Sequence, residues 1–461
     1  MSPESTVSTS QIPIRALHLD LKGLPPTPER LLSLCPLIAT AGYNAVVVEW
    51  EDTFPWTVDP HFRSESAYTP DEVRAFVGAA ASAGLEVIPL VQCLGHMETP
   101  LSLPHYADLR EVPHKADVLN PLAPGARELV RAMVDDVLGL LPEARYIHLG
   151  GDEAWSFGTH PDTTAYISEH GRGALYLQHV EPLLDALEAR AVRPILWHDM
   201  MLTWDTDALN RLVPKADLCV WGYQQRPDET NHHHAVRHWE HLHAHGFTLW
   251  GGTAYKGADG QISDVPNWHT RMENAQGYAD LAQTQPMAGV IATAWSRYST
   301  HRPMCEPIDG ALDCLVHVGF ILRDGHSPAD GRDECLRVLE AAGELATFEA
   351  AHAALSALAA ARDRAWYALR QTRELLAGAT LDARRRGDAA ALAHLKQLRD
   401  AVQAGHAAAG QVRDALDGLV PAREVEFYLH ERLAGLDEEY GLLKPRVAAL
   451  EPDAARAMGL A

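Results

Sequence analysis

The chain contains no run of about 18 consecutive apolar residues, so no segment reads as a membrane-spanning helix. It also lacks any strongly basic stretch. Its formal charge is −23, which argues against nucleic acid or another polyanion as partner. Cysteines are few, at positions 35, 93, 219, 305, 314 and 335, and none belongs to a CxxC pair. That scatter argues against a structural zinc site and for a reducing compartment; each cysteine reads as a small buried hydrophobe. Residues 1–12 are expected to be a disordered tail. Met1–Gln11 is polar and rich in Ser and Thr, with neither the basic start nor the apolar core of a secretory signal. A cytoplasmic protein is the expectation. No Gly-rich phosphate-binding fingerprint follows the first apolar run, which weakens a nucleotide-binding reading.

What is present is ample core material, 47% hydrophobic residues in a chain of 461. Eight short apolar runs precede residue 300: Arg15–Leu19, Ala45–Trp50, Glu86–Val91, Arg145–Leu149, Pro194–His198, Asp217–Gly222, Phe247–Gly251 and Gly289–Trp295. Most are rich in Val, Ile, Leu or Trp, as strands buried on both faces are. Helical segments lie between them. Thr27 before Pro28 marks one start. Thr69-Pro70-Asp71-Glu72 marks another, with Thr69 as N-cap and Glu72 closing a capping box. Gly42, Gly84 and Gly246 stand where a helix ends just before a strand.

The connections are unequal. Helix-to-strand turns are short, while 51–68, 92–124, 154–173 and 252–268 are long and all follow strands. Eight β–α repeats with every long loop on one side predict a (β/α)8 barrel, its active face built by those loops, over residues 13–325. Residues 324–331 read as a linker. From 332 to 461 an α-helical C-terminal domain is expected. Its stripes are Leu358, Ala361, Ala365, Leu369, Thr372 and Leu376; then Leu395, Leu398, Val402, Gly405, Ala409, Val412, Leu416 and Leu419; then Leu429, Leu433, Leu436, Tyr440 and Leu443. Three long helices packed on the barrel fit this pattern, and a homodimer through them is the alternative.

The strongest local signal is Tyr146-Ile147-His148-Leu149-Gly150-Gly151-Asp152-Glu153-Ala154-Trp155. An apolar strand runs into two glycines, which allow a sharp turn, and then into two adjacent carboxylates at the end where barrel catalysis occurs. Neighbouring acids raise each other's pKa, and one ionised with one protonated carboxyl suits acid–base work on a glycosidic bond. Trp197, Trp221 and Trp295 also fall at strand ends, where indole faces can floor a sugar pocket. Asp20, Lys22, Asp199 and Arg297 are candidates for hydroxyl contacts, and His96 for orienting Glu153 or touching the sugar.

The His148-x-Gly-Gly-Asp152-Glu153 segment resembles the signature of family 20 glycoside hydrolases, the β-N-acetylhexosaminidases. Further segments resemble the hexosaminidase D branch. They are His18–Gly23, Glu49–Trp56, Pro89–Glu98, Leu196–Met200, Tyr255–Ala258 and Thr293–Tyr298, one per strand end across residues 14–320. The resemblance implies that Glu153 is general acid and then base, and that Asp152 holds the substrate's acetamide and stabilises an oxazolinium intermediate. The acetamide oxygen itself attacks, with retention and without cofactor or metal. A Tyr donating to that oxygen is implied, and Tyr223 is the match. Two positions depart from most of the family: Lys22 stands where an Arg reads the sugar's 3- and 4-hydroxyls, and Arg297 where many members carry Glu. Both match the hexosaminidase D branch, which leans toward galactosaminides. With strand one near residue 14, the small α/β domain that precedes many family barrels is expected to be absent. The implied partner is an N-acetylhexosamine-terminated oligosaccharide or glycoconjugate. Two other readings remain. One is a sugar-binding pseudoenzyme on the same barrel, against which the intact pair argues. The other is a metal-dependent barrel hydrolase, suggested by 25 His and the run His232-His233-His234, itself read as a solvated helix turn.

Overall fold

The computed structural model describes residues 11–227, 236–381 and 388–460. The run His232–His234 and most of the 1–12 segment lie outside them, although Ile12 is buried.

Eight parallel strands close a barrel in chain order: β1 Ile14–Asp20, β2 Ala45–Glu49, β3 Glu86–Leu90, β4 Tyr146–His148, β5 Arg193–Trp197, β6 Asp217–Trp221, β7 Leu249–Lys256 and β8 Gly289–Ala294. Closure is made by β1 beside β8, with Ile14 opposite Gly289. Every residue of β2, β7 and β8 is buried, as expected of strands lined by side chains inside and helices outside. The inner layer includes Ala16, Val47, Ile88, Ile195, Trp197, Cys219, Trp250 and Ile291, a packed core rather than a pore.

Helices follow the strands where the punctuation places them. Thr27 caps Pro28–Thr40, and Thr69 with Glu72 forms a complete capping box on Pro70–Ser82. Gly42, Gly84 and Gly246 all adopt positive φ. One boundary differs from the sequence reading. β7 does not stop at Gly251 but continues to Lys256, so the following loop is shorter than expected. Its glycines are places of close approach rather than an end. A Cβ at Gly251 would meet the Tyr278 ring, and one at Gly252 would meet Trp221.

The C-terminal region contains helices Leu345–Leu381, Asp388–Leu416 and Ala422–Ala448. Their stripes are buried against one another, with Leu358, Leu369, Leu395, Val412, Leu429 and Leu436 inside. The barrel contributes Leu24 and Met304 to the same apolar cluster as Leu355, Leu358, Val412 and Tyr428. Arg30 of the first barrel helix pairs with Asp309 at 2.7 Å and Glu344 at 2.7 Å. Among the described residues no helix is long and apolar enough to cross a membrane. All six cysteines are free and buried, and burial pushes the Cys93 and Cys305 thiols up to about 12.

Candidate active site

The turn after β4 is tightly built. Gly150 and Gly151 have φ of 58° and 81°, and Glu153 itself is left-handed at 46°. Side chains crowd both glycines: a Cβ at Gly151 would overlap the Tyr176 hydroxyl. On the other side the loop after β3 passes so close that a Cβ at Gly95 would overlap the Asp152 carbonyl. The Glu153 N–H donates to Asp199 Oδ2 at 3.0 Å, so β5 holds the backbone of the candidate acid. Left-handed backbone at a non-glycine residue is a strained state that persists only when its surroundings enforce it. Glu51 (φ 45°) and His96 (φ 54°), after β2 and β3, share that property.

Asp152 is buried, while the Glu153 side chain is 37% exposed and faces the mouth. His96 Nε2 lies 3.7 Å from Asp152 Oδ2 and 3.6 Å from Glu153 Oε2, touching both. Burial opposes the imidazolium, but Asp152, Glu98 and Glu153 outweigh it and raise the His96 pKa to about 10. Burial and the neighbouring Asp152 carboxylate raise the Glu153 pKa, against a smaller lowering by His96. Asp199 is pushed up to about 7, chiefly by burial and then by Asp152. Glu153 is therefore biased toward carrying a proton, which a general acid must do.

The aromatic candidates form a continuous wall. Trp197 is fully buried beneath His148, with ring centroids 4.2 Å apart, and lies 6.2 Å from Trp295. Half-buried Trp221 stacks on Tyr223 at 5.3 Å, and Tyr223 lies 6.3 Å from Trp295. The Trp221 indole also reaches Asp199 Oδ1 at 3.4 Å. Lys22 Nζ lies 5.3 Å over the Trp295 ring. The structure thus gathers all eleven sequence-derived candidates around one mouth, at the ends of β1, β3, β4, β5, β6 and β8.

Several candidates are already engaged. Lys22 is buried and held by Asp20 at 2.9 Å and Glu49 at 3.0 Å. A lysine is ordinarily a flexible point charge, but here two carboxylates fix it. Asp20 Oδ2 also accepts from the Ser296 N–H at 2.7 Å, so its oxygens tie β1 to β8. Arg297 pairs with Asp52 at 3.1 Å. Sequence reasoning quoted Glu49, Glu51 and Asp52 as part of a motif without assigning them a role. Glu49 accepts from Gln92 at 3.1 Å, and Glu51 accepts from Thr99 at 2.7 Å and from Thr300. Burial pushes the Asp52 carboxyl up to about 6 in spite of Arg297. The legible signal was three acids at the end of one strand; their cationic partners come from other strands, Lys22 from the end of β1 and Arg297 from beyond β8.

Beside the mouth, Glu49, Glu51, Gln92, His96 and Thr99 help line a cavity of about 20 Å³, the room of a single water. A larger groove of about 600 Å³ lies outside the barrel, where Asp363 and Tyr367 face Gln397 and Asp400 across two C-terminal helices. Its Asp400 is already paired with Lys396 and Arg399, each at 2.8 Å, and the strand-end chemistry is elsewhere.

The glycosyl hydrolase family 20 catalytic domain matches residues 55–306 of this chain. The chain belongs to that family. Hexosaminidase D of Homo sapiens is 33% identical over 324 residues, which are 68% of this chain and 66% of that protein, just under two thirds of its length. Hexosaminidase D of Bos taurus is 32% identical over 66% of this chain and 90% of its own length. The family 20 assignment makes the chain a glycoside hydrolase of β-N-acetylhexosaminidase type, of the hexosaminidase D branch. Solved structures share the fold. A β-N-acetylhexosaminidase of Bacteroides fragilis superposes with TM-score 0.54 at 16% identity, over 73% of this chain and 72% of that one. The chitobiase of Flavobacterium johnsoniae gives 0.56 at 14% identity, over 95% of this chain and 75% of its own.

Proposed function

We propose that this family 20 enzyme removes terminal β-linked N-acetylhexosamine residues from oligosaccharides or glycoconjugates, with retention and by substrate-assisted catalysis. The observation that carries the reading is the division of labour within one pair: Asp152 buried, Glu153 open to the mouth with its pKa raised. Glu153 protonates the leaving oxygen and later takes a proton from water. Asp152 holds the acetamide N–H, so that the acetamide oxygen attacks the anomeric carbon from a tethered position of high effective molarity. Tyr223, within the aromatic wall, donates to that oxygen. Trp221 and Trp295 take the apolar face of the ring, with fully buried Trp197 packed near Trp295 as support rather than as the contact the sequence suggested. Lys22, Asp199 and Arg297 take the hydroxyls, with Asp20 fixing Lys22. The Lys22 ammonium is a compact charge already in contact with Asp20 and Glu49, where an Arg would present a planar fork, so both 4-hydroxyl configurations are accommodated, and the resemblance to the hexosaminidase D branch favours the galacto sugar. The reading includes a reducing, cytoplasmic setting, in keeping with six free buried thiols.

The first test is release of p-nitrophenol from the β-N-acetylgalactosaminide and β-N-acetylglucosaminide, each with and without EDTA. Chelator-resistant turnover of both, faster on the galactosaminide, is expected. Loss of turnover with EDTA would favour a metal-dependent hydrolase, and no turnover by folded protein would favour a sugar-binding pseudoenzyme. Asp152→Asn should lower kcat about 10²-fold through a misplaced acetamide. A thiazoline mimic of the oxazoline should bind far more tightly than the free sugar, and equal affinities would sink the substrate-assisted route.

A further inference from the structure

The loop after β8 folds back as a hairpin. Arg297 and Met304 pair across it as an antiparallel bridge, and the Cys305 N–H donates to the Ser296 carbonyl at 2.7 Å. Arg297, at the mouth, is on its inner limb. Both backbone groups of Met304, on the outer limb, are taken by consecutive side chains of the Ala422–Ala448 helix. The Met304 N–H donates to Glu431 Oε2 at 2.9 Å, and the Arg432 guanidinium donates to the Met304 carbonyl. Two helix side chains thus stand in for a neighbouring strand.

Arg432 also grips the loop after β7. Its Nε donates to Asp264 Oδ1 at 2.7 Å, and the Tyr428 hydroxyl donates to the same oxygen at 2.5 Å. Arg362 of the Leu345–Leu381 helix pairs with Asp264 Oδ2 at 2.7 Å and donates to the Ile262 carbonyl at 2.7 Å. Asp264 and Arg432 are both buried. The two loops are joined in turn: the Gly257 N–H donates to Glu306 Oε1 at 2.6 Å, and the Gly260 N–H to the Tyr298 hydroxyl at 3.2 Å. Apolar residues of equal volume would stabilise such a contact as well as buried ions do. What charged, hydrogen-bonded groups add is direction, because each bond fixes one backbone atom.

We infer that Glu431 and Arg432 are positioning residues for the catalytic mouth. They hold the β8 hairpin, through Met304, in the register that sets Arg297 against Asp52 and Trp295 beneath Lys22. The C-terminal helices are then part of the working enzyme, acting through loops they touch rather than on substrate. The kinetic half of this inference rests on the proposed glycosidase activity; the structural half does not.

Glu431 is the residue to vary, since its side chain is 32% exposed and its pairing with Arg432, at 3.6 Å, is much longer than the 2.7 Å contact of Arg432 with Asp264, which its loss leaves in place. In the full-length protein, Glu431→Ala deletes the acceptor for the Met304 N–H, whereas Glu431→Gln keeps one in its amide oxygen. Glu431→Ala is expected to speed amide hydrogen exchange across residues 296–305. It should also raise KM for the aryl galactosaminide about fivefold, the scale of one lost hydrogen bond, with kcat nearly unchanged. Glu431→Gln should restore both. Wild-type exchange in Glu431→Ala would overturn the inference, and so would equal impairment of the two variants. Exchange needs no substrate, so a chain inactive on every glycoside would defeat the proposed function without deciding this point.

Discussion

Glu51, His96 and Glu153, at the ends of β2, β3 and β4, all hold a left-handed backbone, whereas no described non-glycine residue of the three long C-terminal helices does. The contrast extends to charge. At the mouth, Asp20, Lys22, Glu49, Glu51, Asp52, Asp152 and Asp199 crowd together, and burial drives the Asp52, Glu153 and Asp199 carboxyls upward. The helices instead bury Leu, Val and Ala and keep most ion pairs in solvent, as with Arg413–Glu426 and Arg373–Glu439. One region obeys local rules of propensity and patterning, and the other breaks them. Such breaks are tolerated where chemistry needs them and elsewhere are removed.

If that contrast is right, substitutions at the mouth and in the helices should have opposite signatures. The largest effect is expected from Glu153→Gln. On substrates with poor leaving groups kcat should fall about 10³-fold, the range of a lost general acid. The denaturant midpoint should stay at or above that of the wild type, because the change removes a carboxyl that burial disfavours. Unchanged kcat would end the acid assignment, and a large loss of stability would blur the comparison. Leu395→Ala, within the helical core, should do the reverse: unfolding free energy falls by about 2–5 kcal/mol, read by denaturant titration, while turnover per folded molecule is kept. The smallest and sharpest effect concerns pH. The imidazolium of His96 lowers the Glu153 pKa, so His96→Asn should let it rise. Activity needs protonated Glu153, so the basic limb of kcat/KM should move to higher pH. A shift in the other direction would remove His96 from the electrostatics of the pair.

The same contrast explains what the sequence made legible. Periodicity marked all eight strands and the helical stripes, because a strand or helix announces itself through neighbours a few residues away. The Asp152–Glu153 pair was legible for a similar reason, since its strand, glycines and carboxylates are contiguous. Lys22 was visible, but its fixing by Glu49 was not, because that partner arrives from the next strand. The continuation of β7 through Gly251 and Gly252 was hidden too. The residues that fill the missing side-chain space, Tyr278 and Trp221, lie on other elements. Least legible was the Asp264–Arg432 contact, which joins positions separated by 168 residues.

The six buried thiols give the molecule a set of internal clocks. Each is screened by packing and held protonated by its surroundings, so a thiol-reactive dye modifies it only as often as its neighbourhood opens. Cys35 and Cys314 lie in the barrel's outer layer and would time the breathing of the scaffold. Cys305 sits in the β8 hairpin between Met304 and Glu306 and would time the motion of the rim alone. The ratio of those rates separates a loosened rim from a loosened scaffold in one labelling experiment, with no introduced probe.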